Sequence, residues 1–240
     1  MDNIDCPNCG SQQSGVFCVE CGSILPYSEI NYFTMLEEPT RPMLDANKLK
    51  ETYRTLSPKL HPDHFQTKPA REKALALQWA SLLNKAYQTL RDPKLRIRYL
   101  ISLKTGADPD EEAEKTAAIS NETMQLFNEV REECSKTDAF LEKVDKVASR
   151  IVLASLLSAE SFQTRIRQLS ELREKIAKTR LTLLECLKQQ DEEWMKDVQG
   201  SNAKLLEALK SVGDGLSFLD KFDALIEERL LSLDVKRQQA

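Results

Sequence analysis

Glycine and proline are scarce, at 7 and 9 of 240 residues, too few for a loop-dominated or low-complexity chain. No stretch approaches the roughly 18 consecutive apolar residues that span a bilayer. The opening residues Met1-Asp2-Asn3-Ile4-Asp5 lack the basic start of a secretory signal and the arginine-rich character of a transit sequence. A cytoplasmic location and no membrane partner are therefore expected. A basic excess is absent too: 34 Lys and Arg against 38 Asp and Glu leave a formal charge of -4, so no nucleic-acid partner is expected. Only 2 histidines occur, and neither a glycine-rich phosphate loop nor an activated-serine constellation accompanies them. No catalytic residue is predicted. What is present, 41% hydrophobic and 30% charged residues, is the balance of a soluble, helix-rich protein.

Four of the 6 cysteines are crowded into the knuckles Cys6-Pro7-Asn8-Cys9-Gly10 and Cys18-Val19-Glu20-Cys21-Gly22. Glycine after each second cysteine lets backbone amides turn toward the sulfurs. One structural zinc ion held by Cys6, Cys9, Cys18 and Cys21 is the predicted cofactor. Its binding supplies the folding free energy that a core-poor segment of roughly twenty residues lacks. Iron is the second choice for four thiolates. Disulfides would need an oxidising compartment, and a redox pair a strand-helix setting. Cys134 and Cys186 stand alone in helical patterns and read as core or surface residues. A hydrolase metal site on His61, Asp63 and His64 lacks a distant third ligand.

Beyond Pro26 the pattern becomes helical. Tyr32, Phe33 and Leu36 mark a short stripe, and Asp45 is the expected N-cap of a second helix running toward Leu60. His61-Pro62-Asp63 interrupts that helix, because proline removes a donor and restrains its neighbour. Pro58, inside the same helix, is expected to bend or split it. Leu75, Trp79, Leu82, Leu83, Ala86, Tyr87 and Leu90 keep helical spacing, and Asp92-Pro93 opens a fourth helix through Leu103. Gly106, Asp108-Pro109 and an acidic run read as a linker. Near-heptad spacing follows through Phe162, Ile166, Leu169, Leu172, Ile176, Leu183, Leu187 and Trp194. Gly200-Ser201 reads as a helix stop and new cap, and Gly213 with Gly215 as a second break before Phe218.

Tyr32-Phe33, Tyr53-Arg54, Leu56, His61-Pro62-Asp63, Asn84, Ala86-Tyr87 and Leu90, in that helical setting, resemble a J domain. The chain resembles the HscB (Jac-type) family in particular. That likeness is carried by Tyr32-Phe33-Thr34-Met35-Leu36, Phe65, Gln88-Thr89-Leu90-Arg91 and Arg96-Ile97-Arg98-Tyr99-Leu100. Eukaryotic members of the family also carry an amino-terminal four-cysteine unit. Glu129-Val130-Arg131-Glu132-Glu133 and Phe218-Leu219-Asp220-Lys221 resemble segments of the family's carboxy-terminal domain.

The resemblance implies a co-chaperone whose His61, Pro62 and Asp63 trigger ATP hydrolysis by a heat-shock-70-type chaperone of the DnaK or HscA class. The basic residues Lys48, Lys50, Arg54 and Lys59 before the loop suit an acidic partner surface. The resemblance also implies an iron-sulfur scaffold partner of the IscU class, with Met124, Asn128, Glu129, Glu132 and Phe218 as its candidate contacts. Another protein client of the same J domain is the alternative. The expected fold is mainly α. It comprises a zinc-binding knuckle unit over residues 1–26, a four-helix J domain over 30–104, a linker over 105–117, and a carboxy-terminal helical bundle or long hairpin over 118–240.

Overall fold

Asn31, Asp45, Asp92 and Ser120 each turn a side-chain oxygen onto a backbone amide two or three residues ahead, and a helix starts after each. The structure is a computed structural model that describes residues 4–13, 15–26, 30–106, 120–147, 151–152, 155–156, 160–196 and 202–238. Helix α1 covers Tyr32–Met35, α2 Ala46–Lys59, α3 Ala70–Arg91 and α4 Pro93–Thr105. A 3-10 turn, Pro62–Phe65, separates α2 from α3. Three long helices follow: α5 Asn121–Asp145, α6 Glu160–Lys196 and α7 Ala203–Gln238. The mainly helical expectation holds, and among the described residues no helix is long and apolar enough to cross a membrane. Two units result: Met1–Pro109 with Asp191–Ser201, and Asp110–Gln190 with Asn202–Ala240.

In the first unit, β1 (Ile4–Asp5) pairs antiparallel with β2 (Gln12–Gln13), Ile4 facing Gln13. Helix α3 is the central element. Ala76, Trp79, Leu83, Ala86 and Leu90 recur every three or four residues and bury one face. That helix packs against α1, α2, α4 and the 3-10 turn, which bring Phe33, Leu49, Leu60, Phe65, Ile97 and Leu100 into the core. Tyr99 of α4 stacks on Tyr32 with ring centroids 4.2 Å apart and accepts the Tyr32 backbone N–H at 3.0 Å, fixing α1.

The second unit is a three-helix bundle around Leu126, Val130, Phe162, Leu169, Ile176, Leu219, Phe222 and Ile226. Ion pairs give the helix directions. Arg165–Glu133 (3.1 Å) and Lys175–Glu129 (2.7 Å) set α6 antiparallel to α5. Arg173–Asp223 (2.8 Å) and Arg180–Asp220 (2.6 Å) set α7 antiparallel to α6. Arg229–Asp138 (3.1 Å) and Lys236–Asp145 (2.5 Å) run in step along parallel α5 and α7.

Two expectations are corrected. Pro58 does not split α2, which runs unbroken to Lys59. The proline sits in the last turn, where a missing N–H costs one bond and the chain is about to leave the helix anyway. Gly213 and Gly215 do not break the chain either, for both lie within α7. Glycine costs a helix about 1 kcal/mol relative to alanine, and at Gly215 the reason is visible: a Cβ there would lie 2.9 Å from Leu183 Cδ1 of α6. The predicted linker beyond Gly106 and the stop at Gly200-Ser201 lie outside the described residues; Asn202 accepts the Lys204 N–H at 3.2 Å to cap α7.

Gly106 ends α4 in the left-handed region at φ 70°, with its N–H on the Ser102 carbonyl at 2.9 Å. Nothing lies within 4 Å of a Cβ built there, so the cost of a side chain is purely backbone. Gly106→Ala is expected to lower stability by about 1 kcal/mol, read as a lower urea midpoint at unchanged slope.

Candidate functional site and metal centre

The exposed tripeptide is held between two buried anchors. Leu60 closes α2 with no exposure, and Phe65, 8% exposed, closes the 3-10 turn. Between them His61 and Asp63 keep side-chain exposures of 59% and 71%. Pro62 at the first position of the turn loses no needed donor. His61 Nδ1 accepts the Asp63 N–H at 3.3 Å, and the Asp63 carboxylate accepts Gln66 Nε2 at 3.2 Å. The same Nδ1 lies 3.3 Å from the Asp63 carboxylate. The loop thus offers one imidazole and one carboxylate side by side, both exposed.

The four basic candidates on α2 separate into two flanks at 3.6 residues per turn. Lys50 and Arg54 lie together and exposed on one flank, and Lys48 and exposed Lys59 on the other. Lys48 is engaged within the chain, donating to the Glu37 carbonyl at 3.2 Å and pairing with buried Glu38 at 3.5 Å. Tyr53 stacks on Tyr87 (4.1 Å) and donates to Asn84 Oδ1 at 2.7 Å, joining α2 to α3 beside the loop. Ser57, His61, Pro62, Leu77, Ala80 and Asn84 line an open groove of about 330 Å³. Leu77, 62% exposed, was not among the sequence candidates; one apolar residue on the solvent side of α3 carries no signal without the fold.

At the amino terminus the two knuckles repeat one geometry. Gly10 and Gly22 take φ 74° and 71°. Their amides bond the Cys6 and Cys18 carbonyls at 2.9 and 2.8 Å, while Cys6 N and Cys18 N donate to the Ser11 and Ser23 carbonyls at 2.9 Å. The four sulfurs lie within 4.8 Å of one another, with Cys6–Cys21 and Cys9–Cys18 at 3.6 Å. A tetrahedral zinc with bonds of about 2.3 Å sets its sulfurs about 3.8 Å apart, so the thiolate set fits the predicted ion. Cys6, Cys9, Cys18 and Cys21 would hold it, and its contribution is structural.

Ser11 and Ser23 were missed, although both knuckles read Cys-x-x-Cys-Gly-Ser. Ser11 Oγ lies 3.1 Å from Cys9 Sγ and 3.4 Å from Cys18 Sγ, and Ser23 Oγ lies 3.3 Å from Cys21 Sγ. Hydrogen bonding with Ser11 first of all lowers the Cys18 thiol pKa. Ser23, followed by Asn8, pulls Cys21 down to about 5. Both effects favour the thiolate form that a metal requires.

The unit is docked onto α3. Leu25 is fully buried, and its carbonyl accepts the indole N–H of fully buried Trp79 at 2.9 Å.

The scaffold candidates lie in the second unit. Met124, Asn128 and Glu132 are exposed one turn apart on α5. Glu129 and Glu132 border a groove of about 200 Å³ whose other wall holds Gln168, Glu171 and Lys175. Phe218 is half-buried, 5.4 Å beneath the Lys221 ammonium, and lines a separate small cavity of about 60 Å³ with Thr123 and Gly215. The candidates thus fall into an α5 stripe and a Phe218 cavity, joined through neighbouring Thr123.

Comparison with known proteins agrees with this architecture. The DnaJ domain family model matches residues 31–99. Co-chaperone protein HscB homolog of Bordetella avium is 43% identical over 70 residues, covering 29% of this chain and 42% of that protein. Its counterpart in Paraburkholderia phytofirmans is 42% identical over 74 residues, covering 31% and 42%. The match spans less than half the length of these curated relatives. Among solved structures, human co-chaperone protein HscB is similar over 94% of this chain and 98% of its own, with TM-score 0.60 and 20% identity, a likeness of fold. HscB from Vibrio cholerae is similar over 83% and 96%, with TM-score 0.54 and 26% identity.

Stripping the metal with a chelator is expected to release one zinc ion per chain and to unfold the knuckles. The Trp79 indole N–H, bonded to Leu25, should then lose its protection from hydrogen exchange. An indole proton equally protected with and without metal would show that docking does not depend on the ion.

Proposed function

We propose that the chain is a J-domain protein of the HscB type and acts as a co-chaperone, activating the ATPase of a heat-shock-70-type chaperone rather than catalysing a reaction itself. The observation that carries this reading is the exposed His61-Pro62-Asp63 loop held between buried Leu60 and Phe65. The partner is a chaperone of the DnaK or HscA class. Lys50, Arg54 and Lys59 steer its acidic surface to the loop, where exposed charge sets encounter rate more than final affinity. Lys48 contributes less freely, since it also holds Glu38.

The second half of the function is delivery. An iron-sulfur scaffold of the IscU class docks on the bundle at Met124, Asn128, Glu129, Glu132 and Phe218. Met124, 43% exposed, supplies apolar surface. Glu129 and Glu132 border a groove that sets carboxylates beside a lysine, Lys175. The labour divides along the ranges 1–26 for the metal unit, 30–104 for the chaperone and 118–240 for the client.

Asp63→Asn is expected to abolish stimulation of chaperone ATP hydrolysis, with helix content and bound zinc unchanged; stimulation that persists refutes the trigger. Calorimetry with the scaffold protein tests the client. Met124→Ser and Phe218→Ala should each weaken binding about tenfold or more, the scale of a buried hot-spot side chain. A wild-type chain that gives no binding heat removes the scaffold from the proposal and leaves the chaperone half standing.

A further inference from the structure

We propose that Asp191 and Trp194, at the end of α6, are positioning residues for the chaperone-contacting loop, acting through the segment Thr40–Met43; this rests on the co-chaperone reading above. Neither residue lies in the matched J-domain range of 31–99, yet both belong to the same unit as that domain. Asp191 is 3% exposed, and a carboxylate so buried must be paired. Arg41 meets it with both ends of its guanidinium fork, Nε at 3.0 Å on Oδ1 and Nη2 on Oδ2. The Met43 N–H donates to the same Oδ1 at 2.9 Å. Trp194, 8% exposed, donates its indole N–H to the Thr40 carbonyl at 3.0 Å, and the Lys104 ammonium stands 5.2 Å over its ring.

The same segment is gripped from a third side. Buried Arg96 of α4 donates Nε to the Pro42 carbonyl at 2.6 Å. Four successive residues, 40 to 43, are therefore each held by a side chain from elsewhere in the unit. Two residues later Asp45 caps α2, accepting the Asn47 N–H at 2.8 Å, and α2 runs from there to Leu60 and the tripeptide. A helix transmits a displacement at its start to its end, so the segment that fixes where α2 begins also fixes where His61 and Asp63 stand. Asp191 and Trp194 supply two of its three grips.

The test uses the full chain in three forms: wild type, Asp191→Asn, which keeps the shape and removes the charge, and Trp194→Phe, which keeps a ring and removes the donor. Losing one charge-assisted hydrogen bond is expected to speed exchange of the Met43 amide about tenfold in Asp191→Asn, with amides of α5 and α7 unchanged. Both variants should need several-fold more protein for half-maximal stimulation of the chaperone ATPase while reaching the wild-type maximum. Asp191→Glu, which restores the charge, should recover most of the loss. An unchanged Met43 exchange rate overturns the clamp, and faster exchange with unchanged half-maximal concentration overturns the positioning role. Should Asp191→Asn lose global helicity, Trp194→Phe decides by its half-maximal concentration, an unchanged value overturning the positioning role. A wild type that fails to stimulate sinks the co-chaperone reading and this proposal together, whereas a stimulating wild type with unmoved variants sinks the proposal alone.

Discussion

The J-domain unit depends on one buried cation. Arg96 is 5% exposed, and among the described residues its nitrogens meet no carboxylate; it donates instead to two backbone carbonyls, Pro42 and Leu90, each at 2.6 Å. Burial presses its pKa down to about 10, against the opposing pull of Asp92 and Asp191, so it stays charged at physiological pH. The alternative to this bond pattern is costly. Leu90 lies near the end of α3, whose last carbonyls have no helical acceptor role to fill, and Pro42 lies in a segment with no ladder of its own. One planar donor closes both accounts, and its fork geometry cannot be matched by a lysine. Helices α3 and α4 and the entry to α2 are joined at that point.

From this joint the exposed loop follows by exclusion. With α3 buried along one face and α2 capped at Asp45, the chain between Leu60 and Phe65 has four residues in which to reverse. Proline starts the 3-10 turn, and His61 satisfies the turn's first amide with its own ring. The side chains left pointing outward are those that a partner can read. The metal unit obeys a different constraint. Its buried cluster consists of Cys6, Cys18 and Leu25, far too little apolar area for independent stability. It gains the rest from thiolate coordination and from Trp79, a residue of the neighbouring core. The two small structures share one tryptophan, which makes the J domain's central helix part of the metal unit's floor.

Legibility from sequence tracked the range of the interaction. Local chemistry was readable: the Asp45 and Asp92 caps, the proline-led turn, the cysteine knuckles and the 3.6-residue spacing of Trp79, Leu83, Ala86 and Leu90 all act within a few residues of themselves. Gly213 and Gly215 misled because both are accommodated within α7, and at Gly215 the missing Cβ leaves room for Leu183, a neighbour that sequence spacing does not reveal. Pro58 misled for a related reason, since its cost depends on how much helix follows it. Trp194 kept the heptad spacing of its helix and so read as bundle core, but its indole lies against Thr40. Asp191 carried no signal at all, because one acidic residue in an acidic stretch looks solvated until Arg41, 150 positions earlier, is placed beside it.

The bundle shows how little of its free energy its interhelix charges hold. Its interhelix ion pairs are mostly half-exposed, and pairs of that kind are worth about 0–1 kcal/mol each. The apolar core carries the stability. What the pairs decide is register. Arg173–Asp223 and Arg180–Asp220 are spaced seven residues apart on α6 and three on α7, so sliding either helix by one turn would break both at once. Glu129–Lys175 does the same for α5 and α6 at the edge of the groove bordered by Glu132. Fixing the register there keeps Gln168 and Glu171 of α6 opposite Glu129 and Glu132 of α5 across the groove. A groove whose walls come from two helices keeps its shape only if those helices cannot slip past each other, and weak surface charges on a strong core are sufficient for that.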